Sequence, residues 1–583
     1  MSAAEPLSFT GARWVQAATD PARSADLAAE LGVHPLLARC LVTRGHGDAE
    51  RARAFLEPSW EHFHDPWLLR DMAPAVERIQ RAVAGGERVR VVTDYDVDGA
   101  SSALVLRATL VALGARTGVD HHIPDRMGEG YGLSQAAVAA ASEAGVRLLV
   151  TADIGVKDHA AVDLAVQLGM DVIICDHHLV RGEDVPKAVA VLCPGRPGCG
   201  YPNTKLAAVG VCFKLAQALL VEHPQRERLL RSLLKLVSLG TVADVVDLSP
   251  LENRAIVTLG LEALSQGPHA PGLQALLEVA GCAGRTLNAG DLGFRLGPRV
   301  NAAGRLAQAS MILELFQARD DGRAQVLARE LDALNRKRQR LQESLVEQIS
   351  ARVLPGSDTE APPRCAAFPV FHGSEAEGWH RGVVGIVAGK LREALQRPVA
   401  VAAVSDGKAT GSLRSVPGVD AVAALECARH LLTRFGGHPA AAGFSLPADQ
   451  LPALERALSE HLERDIPPEA RIPSRRADLG AGLHELGEQA ARALQQLEPC
   501  GRGNARPRLL VSGVVIPRVR RVKQHLFFDL GPVQGVWWSA ARHTRALVGG
   551  PVDLLGSLGP DRRDGFTRPM LTVEDARRSD PAG

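Results

Sequence analysis

Aromatic residues make up only 4% of this 583-residue chain, so composition advertises no long base-stacking surface. Nine cysteines contain no CxxC pair, and the two nearest, Cys193 and Cys199, sit in a Pro/Gly-rich loop. An odd, irregularly spaced set suits reduced thiols in the cytosol and excludes a disulfide framework. Charge of one sign is also lacking: the net charge is +1, so an anionic partner must be met by local patches. No apolar run approaches ~18 residues, which argues against a membrane span. Met1 to Trp14 lacks the charged-then-apolar pattern of a secretion signal. The expected location is cytoplasmic.

What is present is an α/β pattern whose strands end in acids and imidazoles. The apolar run Val172 to Cys175 stops abruptly at Asp176-His177-His178. Val89 to Thr93 reads as a strand ending in Asp94-Tyr95-Asp96-Val97-Asp98-Gly99, followed by a helix from about Ala100 to Leu113. Arg147 to Thr151 ends in Ala152-Asp153-Ile154-Gly155, with a helix from about Asp158 to Leu168. A helical stretch, about Leu206 to Leu239, closes on Gly240-Thr241-Val242-Ala243-Asp244. Strands alternating with helices predict a mostly parallel sheet, whose strands share one carboxyl edge. The separate acidic clusters therefore converge on one crevice.

At this length roughly three to five domains are expected. Residues 1–75 read as a helical and irregular layer without chemistry of its own, and 76–250 as the catalytic α/β domain. Residues 251–355 form a helical connector, in which Leu296 to Arg305 looks like a turn bearing Arg299, Asn301 and Arg305. The connector ends in a long helix, about Arg323 to Leu354, apolar on one face, joining two bodies. Residues 364–468 make a second α/β unit, and 471–583 a helix followed by short strands, predicted as a small β-barrel.

Asp96, Asp98, Asp153, His177 and Asp244 are hard oxygen ligands plus one imidazole. Clustered carboxylates repel unless a cation neutralises them. Such donors suit Mg²⁺ or Mn²⁺ better than Zn²⁺, and two ions about 3.5–4 Å apart serve phosphoryl displacement. The Asp-x-Asp-x-Asp-Gly run also resembles a calcium loop, but its downstream glutamate is missing and a strand precedes it. His178 fits a general acid, a phosphoryl contact or a residue orienting a ligand. Arg299 and Arg305 suit phosphate or a surface turn. Gly411 to Ser415 and Gly436-Gly437-His438 suit a backbone nest for an anion. Between Arg502 and Lys523 lie seven basic residues and no acid, either a solvated face or, with Phe527, Phe528, Trp537 and Trp538, a single-strand surface.

In combination and order these motifs resemble the DHH phosphoesterase family, and within it the branch of single-strand-specific DNA exonucleases. The four acidic motifs carry the resemblance. Ile123-Pro124-Asp125-Arg126, Glu129 to Leu133, Pro298 to Arg305, Trp379-His380, Gly411 to Ser415, Phe435 to His438 and Gly501 to Asn504 extend it from about Ala82 to Leu530. Cys193-Pro194 stands where the family has Asn-Pro, Cys500 where it often has Phe, and the strands after Leu530 match poorly.

The resemblance implies an α/β fold with DHH (76–250) and DHHA1 (364–468) domains joined by the long helix into a ring, then an OB-like barrel. It implies a metal-dependent 5′→3′ exonuclease of DNA repair and recombination releasing mononucleotides from single-stranded DNA. Asp96, Asp98, Asp153, His177 and Asp244 would hold two Mn²⁺ or Mg²⁺ ions. Asp94 and Asp176 would support them, and His178 would meet the scissile phosphate. Arg126, Arg299, Asn301 and Arg305 would hold the strand, and Ser412, Arg414, Ser415 and His438 its 5′ end. Single-strand-binding protein and a helicase are expected partners, and the chain is expected to be a monomer. Two alternatives compete: a DHH phosphodiesterase for short RNA or cyclic dinucleotides, and a catalytically silent replication scaffold.

Overall fold

The computed structural model describes residues 7–115, 119–124, 132–180, 182, 184–353, 365–561 and 568–579. The chain forms two compact units. One comprises Ala54–Arg336 with Leu497–Ala505; the other comprises Met1–Arg53, Lys337–Gln496 and Arg506–Gly583.

The first unit is built on a five-stranded sheet, all parallel, in the order Val119–His122, Val89–Thr93, Leu148–Ala152, Asp171–Cys175, Ala190–Leu192. Leu148–Ala152 is buried along its whole length, as a central parallel strand covered on both faces must be. The helix Val97–Ala112 is apolar nearly all round, because the helices Ala208–Leu219 and Arg226–Ala243 pack on it as well as the sheet. Both edge strands escaped the sequence pattern; Val119–His122 carries Asp120, His121 and His122 and reads as loop. The helical stretch predicted over Leu206–Leu239 is two helices, broken near His223-Pro224, where proline cannot extend the first.

A correction concerns residues 296–305. The segment is not a turn but a π-helical turn, Leu292–Leu296, running into the α-helix Gly297–Leu306. Gly-Pro reads as a turn signal, but proline in the first helical turn starts a helix. The predicted long helix is present as Asp321–Val353. Its first half buries Leu327 and Leu331 in the core of the first unit. Its second half buries Leu345, Ile349 and Val353 against Trp379, Val383 and Val387 in the second.

The second unit holds a five-stranded mixed sheet in the order Arg434–His438, Ala441–Pro447, Lys408–Arg414, Val399–Ser405, Val370–Ser374. It also holds a seven-stranded sheet whose long central hairpin is Val552–Asp561 with Arg568–Arg578. Within the helical and irregular N-terminal layer, Arg13–Gln16 is a strand paired in parallel with Ser474–Ala477. Trp14 thereby joins Ala477 and Leu555 in the core beneath the seven-stranded sheet. Among the described residues no helix is long and apolar enough to cross a membrane.

Candidate metal centre

Three neighbouring parallel strands deliver the acids. Asp94, Asp153 and Asp176 each follow the last residue of their strand, so sheet pairing alone sets them side by side. Asp96 caps the helix Val97–Ala112, accepting from the amides of Asp98 at 2.9 Å and Gly99 at 3.2 Å. A Cβ on Gly99 would lie 2.3 Å from the Asp94 carbonyl oxygen, so this tight strand-to-helix turn excludes any side chain there. Asp98 spans to a second helix: its two oxygens accept from the amides of Ala208 and Val209, each at 2.8 Å. Asp153 adopts a left-handed backbone, φ 62°, strain of the sort that clusters at functional sites. Asp244 ends the helix Arg226–Ala243.

These elements bring together the residues expected to meet. The donor atoms of Asp94, Asp96 and Asp153 lie within 4.8 Å of one another, as do those of Asp98, His177 and Asp244 and those of Asp153, His177 and His178. His177 Nε2 is 3.3 Å from Asp153 Oδ1, 3.7 Å from Asp244 Oδ2 and 3.9 Å from Asp98 Oδ2. Asp94, expected only to support the ligands, contributes a donor atom to a set. Asp176 does not. Its Oδ1 accepts from the amides of His177 and His178 and from His178 Nδ1 at 2.7 Å, and its Oδ2 from the Val156 amide at 3.2 Å.

The electrostatics fit a cation. Burial pushes the carboxyls of Asp98, Asp153 and Asp244 up, and their mutual repulsion, with Asp96, pushes further the same way. The guanidinium of Arg502 opposes this at Asp244. Asp176 behaves otherwise: burial raises it, but the His178 hydrogen bond and charge outweigh burial and leave it low. His178 is the mirror image, opposed by burial and raised overall by Asp176. An oxygen-rich set with raised carboxyls is what Mg²⁺ or Mn²⁺ would stabilise.

Other predicted residues are placed less uniformly. Arg126 lies outside the described residues. Arg299 binds Asp332 Oδ1 at 3.0 Å and the Arg295 carbonyl at 2.7 Å, so its guanidinium is partly spent. Asn301 and Arg305 lie half-buried on the same helix. That helix packs on the Asp94–Asp96 loop, since a Cβ on Gly304 would lie 2.6 Å from the Tyr95 carbonyl oxygen. Ser412, Arg414 and His438 stand on strands, not in a loop nest, and Arg414 donates to Ser412 Oγ at 2.5 Å. Ser415 is buried and donates to the Val419 carbonyl at 2.6 Å, closing its own turn. Arg502 belongs to the basic run by spacing, and no sequence signal ties it to the metal centre. It lies in a segment stitched to the loop after Asp244, where the Leu248 amide donates to the Arg502 carbonyl at 2.8 Å.

Residues 88–241 match the DHH family, N-terminal domain; residues 368–464 match the DHHA1 domain; residues 477–575 match the RecJ OB domain. A single-stranded-DNA-specific exonuclease RecJ of Bacillus subtilis (strain 168) is 35% identical over 579 residues, 97% of this chain and 71% of its own. The one from Escherichia coli (strain K12) is 37% identical over 494 residues, 82% of this chain and 83% of its own. Among solved structures, that of RecJ in complex with Mn²⁺ from Thermus thermophilus matches with a TM-score of 0.80 at 31% identity. The match covers 97% of this chain and 80% of that one.

Proposed function

The chain belongs to the RecJ family of single-stranded-DNA-specific exonucleases, and on that premise we propose that it degrades single-stranded DNA 5′→3′ to mononucleotides in repair and recombination. The reading rests on one observation: overlapping donor sets that meet at Asp153 and His177. Asp94, Asp96 and Asp153 would hold one Mn²⁺ or Mg²⁺ ion, and Asp98, His177 and Asp244 a second. Bound there, such ions supply Lewis-acid stabilisation of phosphoryl charge and a lowered pKa for water.

The chain's own residues do the positioning. Asp176 fixes the His178 ring through Nδ1, so the proton the ring can transfer is the one on Nε2. Raised by Asp176, His178 keeps a proton there to give to a phosphoryl oxygen or the leaving oxygen. Arg299, Asn301 and Arg305, with Arg126, hold the strand's phosphates. Ser412, Arg414 and His438 form an anion site on residues 364–468, the substrate-binding domain. The catalytic domain is taken as 76–250, the connector as 251–355 and the nucleic-acid-binding domain as 471–583. A helicase and single-strand-binding protein are the partners that a reaction on exposed strands needs. One copy holds every donor residue between Asp94 and Asp244, so a cytoplasmic monomer suffices.

The test is a Mn²⁺ time course on a 5′-phosphorylated single strand labelled at its 3′ end, beside a blunt duplex and a dinucleotide. A ladder shortening from the 5′ end on the single strand only is expected. Cleavage of the dinucleotide alone would point instead to a small-substrate phosphodiesterase. Strand binding without cleavage would point to a scaffold.

A further inference from the structure

Large apolar side chains left in water need a reason when they gather at one place. Among the described residues the two most exposed are Phe294, at 84%, and Leu179, at 70%. Val245 is also largely exposed. None is remote from the metal centre. Leu179 follows His178, and Val245 follows Asp244. Phe294 follows Gly293, where a Cβ would lie 3.6 Å from Val242 Cγ1, two residues before Asp244.

Phe294 is held in an unusual element. Leu292–Leu296 is a π-helical turn, a wider winding found mostly as single turns within helices and frequently at functional sites. Leu292 and Leu296 point into the core at either end of it, while Phe294 and Arg295 face solvent. The turn continues without a break into the helix Gly297–Leu306. That helix touches two of the acidic motifs: a Cβ on Gly304 would lie 2.6 Å from the Tyr95 carbonyl oxygen, and one on Gly297 3.6 Å from Ala243 Cβ. Packing against both motifs fixes the turn's position, so Phe294 is carried on a rigid support against the helix that ends in Asp244. Arg295, the next residue, is tied to Asp291 at 3.4 Å and to the Ala280 carbonyl at 3.5 Å.

We propose that Phe294 is a base-stacking residue: its ring takes the face of a nucleobase of the single strand being cut, with Leu179 and Val245 completing an apolar rim. This rests on the exonuclease reading above. The charged residues of the site address phosphates, which every nucleotide shares, and leave the bases without a partner. A flat apolar ring is the partner a base accepts whatever its identity. In a duplex that face is covered by its neighbours in the stack, so the contact also favours a single strand. Stacking of this kind contributes roughly ten- to one-hundred-fold in binding per base.

The test compares Phe294→Ala with wild type on two 5′-phosphorylated single strands. One is ordinary; the other lacks bases at its first nucleotides. Wild type should show a KM about ten-fold or more lower for the ordinary strand. Phe294→Ala should raise KM on that strand by a similar factor, leave kcat within about two-fold, and be indifferent to the missing bases. An exposed side chain holds little of the core, so the variant's melting temperature should match wild type. Equal losses on both strands, or no loss on either, would overturn the proposal and leave the ring as a contact for another protein. A second variant, Phe294→Trp, reads the contact without turnover. In EDTA, adding single strand should quench its extra fluorescence relative to wild type, and no quenching would overturn the proposal. If wild type degrades no single strand the exonuclease reading fails by itself, and the Phe294→Trp signal still decides whether the ring meets a base.

Discussion

Asp176 and Asp153 are both buried acids at strand ends, yet the structure gives them opposite tasks. Asp176 has both oxygens committed to amides and to His178, and it remains ionised. Asp153 faces His177 and the other carboxyls and is pushed up by burial and by them. Asp153→Asn should therefore abolish hydrolysis, retaining under a few per cent of activity, because a donor of two overlapping sets is lost. The same variant, stripped of metal, should melt higher than wild type at pH 8, since it relieves repulsion. A lower melting temperature would show that Asp153 is a structural acid. Asp176→Asn should act differently. The amide still accepts from backbone but no longer carries the charge that orients and raises His178. A fall in kcat of roughly ten- to one-hundred-fold at nearly constant KM is expected, and steady-state kinetics on a single strand decide it. The sequence displayed these acids as strand-terminal runs. It had no means of separating the acids that share a donor set from the one that holds His178, because that depends on which amides each oxygen meets.

Elements show the same boundary between what pattern reveals and what packing decides. The central strands and their acidic ends followed from apolar runs. The strand Arg568–Arg578 did not, because its inward face carries Asp575, fully buried. That charge is compensated by Trp14 Nε1 at 3.0 Å, Thr10 Oγ1 at 2.8 Å and Arg475 Nε at 3.2 Å, none of them near it in the chain. The segment Leu497–Ala505 is a second case. Arg254, wholly buried, donates to the carbonyls of Phe55, Leu497, Glu498 and Pro499 and lies 3.7 Å over the Phe55 ring. Asn504 donates to the carbonyls of Leu497 and Pro499, at 2.8 and 2.9 Å. Arg254→Ala removes a buried guanidinium shared by four carbonyls, of which Leu497 and Pro499 still accept from Asn504, and should cost roughly 3 kcal/mol. Because this segment is stitched to the loop after Asp244, activity should fall with it. Urea unfolding beside kcat measures both, and a loss under about 1 kcal/mol would show that water replaces the guanidinium. On the seven-stranded sheet the predicted aromatics divide: Phe528 and Trp537 are buried, while Trp538 is exposed and packs edge-on to Phe527. Arg520 lies 5.3 Å over the Phe527 ring, and Arg518 and Arg521 are exposed nearby in sequence. Neutralising Arg518, Arg520 and Arg521 together should reduce the slope of log binding constant against log salt by about two to three. An unchanged slope would return that run to an ordinary solvated face.

At the scale of the whole molecule, two units with different buried titratable groups should answer pH in opposite ways. His543, in the unit that contains the seven-stranded sheet, is pushed down to about 4 by burial and by Arg542, against the pull of Asp575. Between about pH 4 and its ordinary 6.5 the unfolded chain binds the proton and the folded chain does not. Stability conferred by neutral His543 is thus complete above 6.5 and lost on acidification, by roughly 2 kcal/mol from pH 6.5 to 5. The metal-centre acids run the other way. With Asp98 raised to about 7 and Asp244 to about 9, the folded unit holds protons that the unfolded chain releases above the ordinary 3.8. Without metal that unit loses stability as pH rises from about 4 towards 9. In EDTA, calorimetry from pH 5 to 9 should resolve two transitions moving in opposite directions. Mn²⁺ should lift only the transition that weakens with alkali, and most strongly at high pH, where the carboxylates proposed to bind it are ionised. His543→Gln should flatten the acid limb of the other transition alone. A single transition rising equally with Mn²⁺ at every pH would mean that the units melt together and the ion is held by something other than these carboxylates.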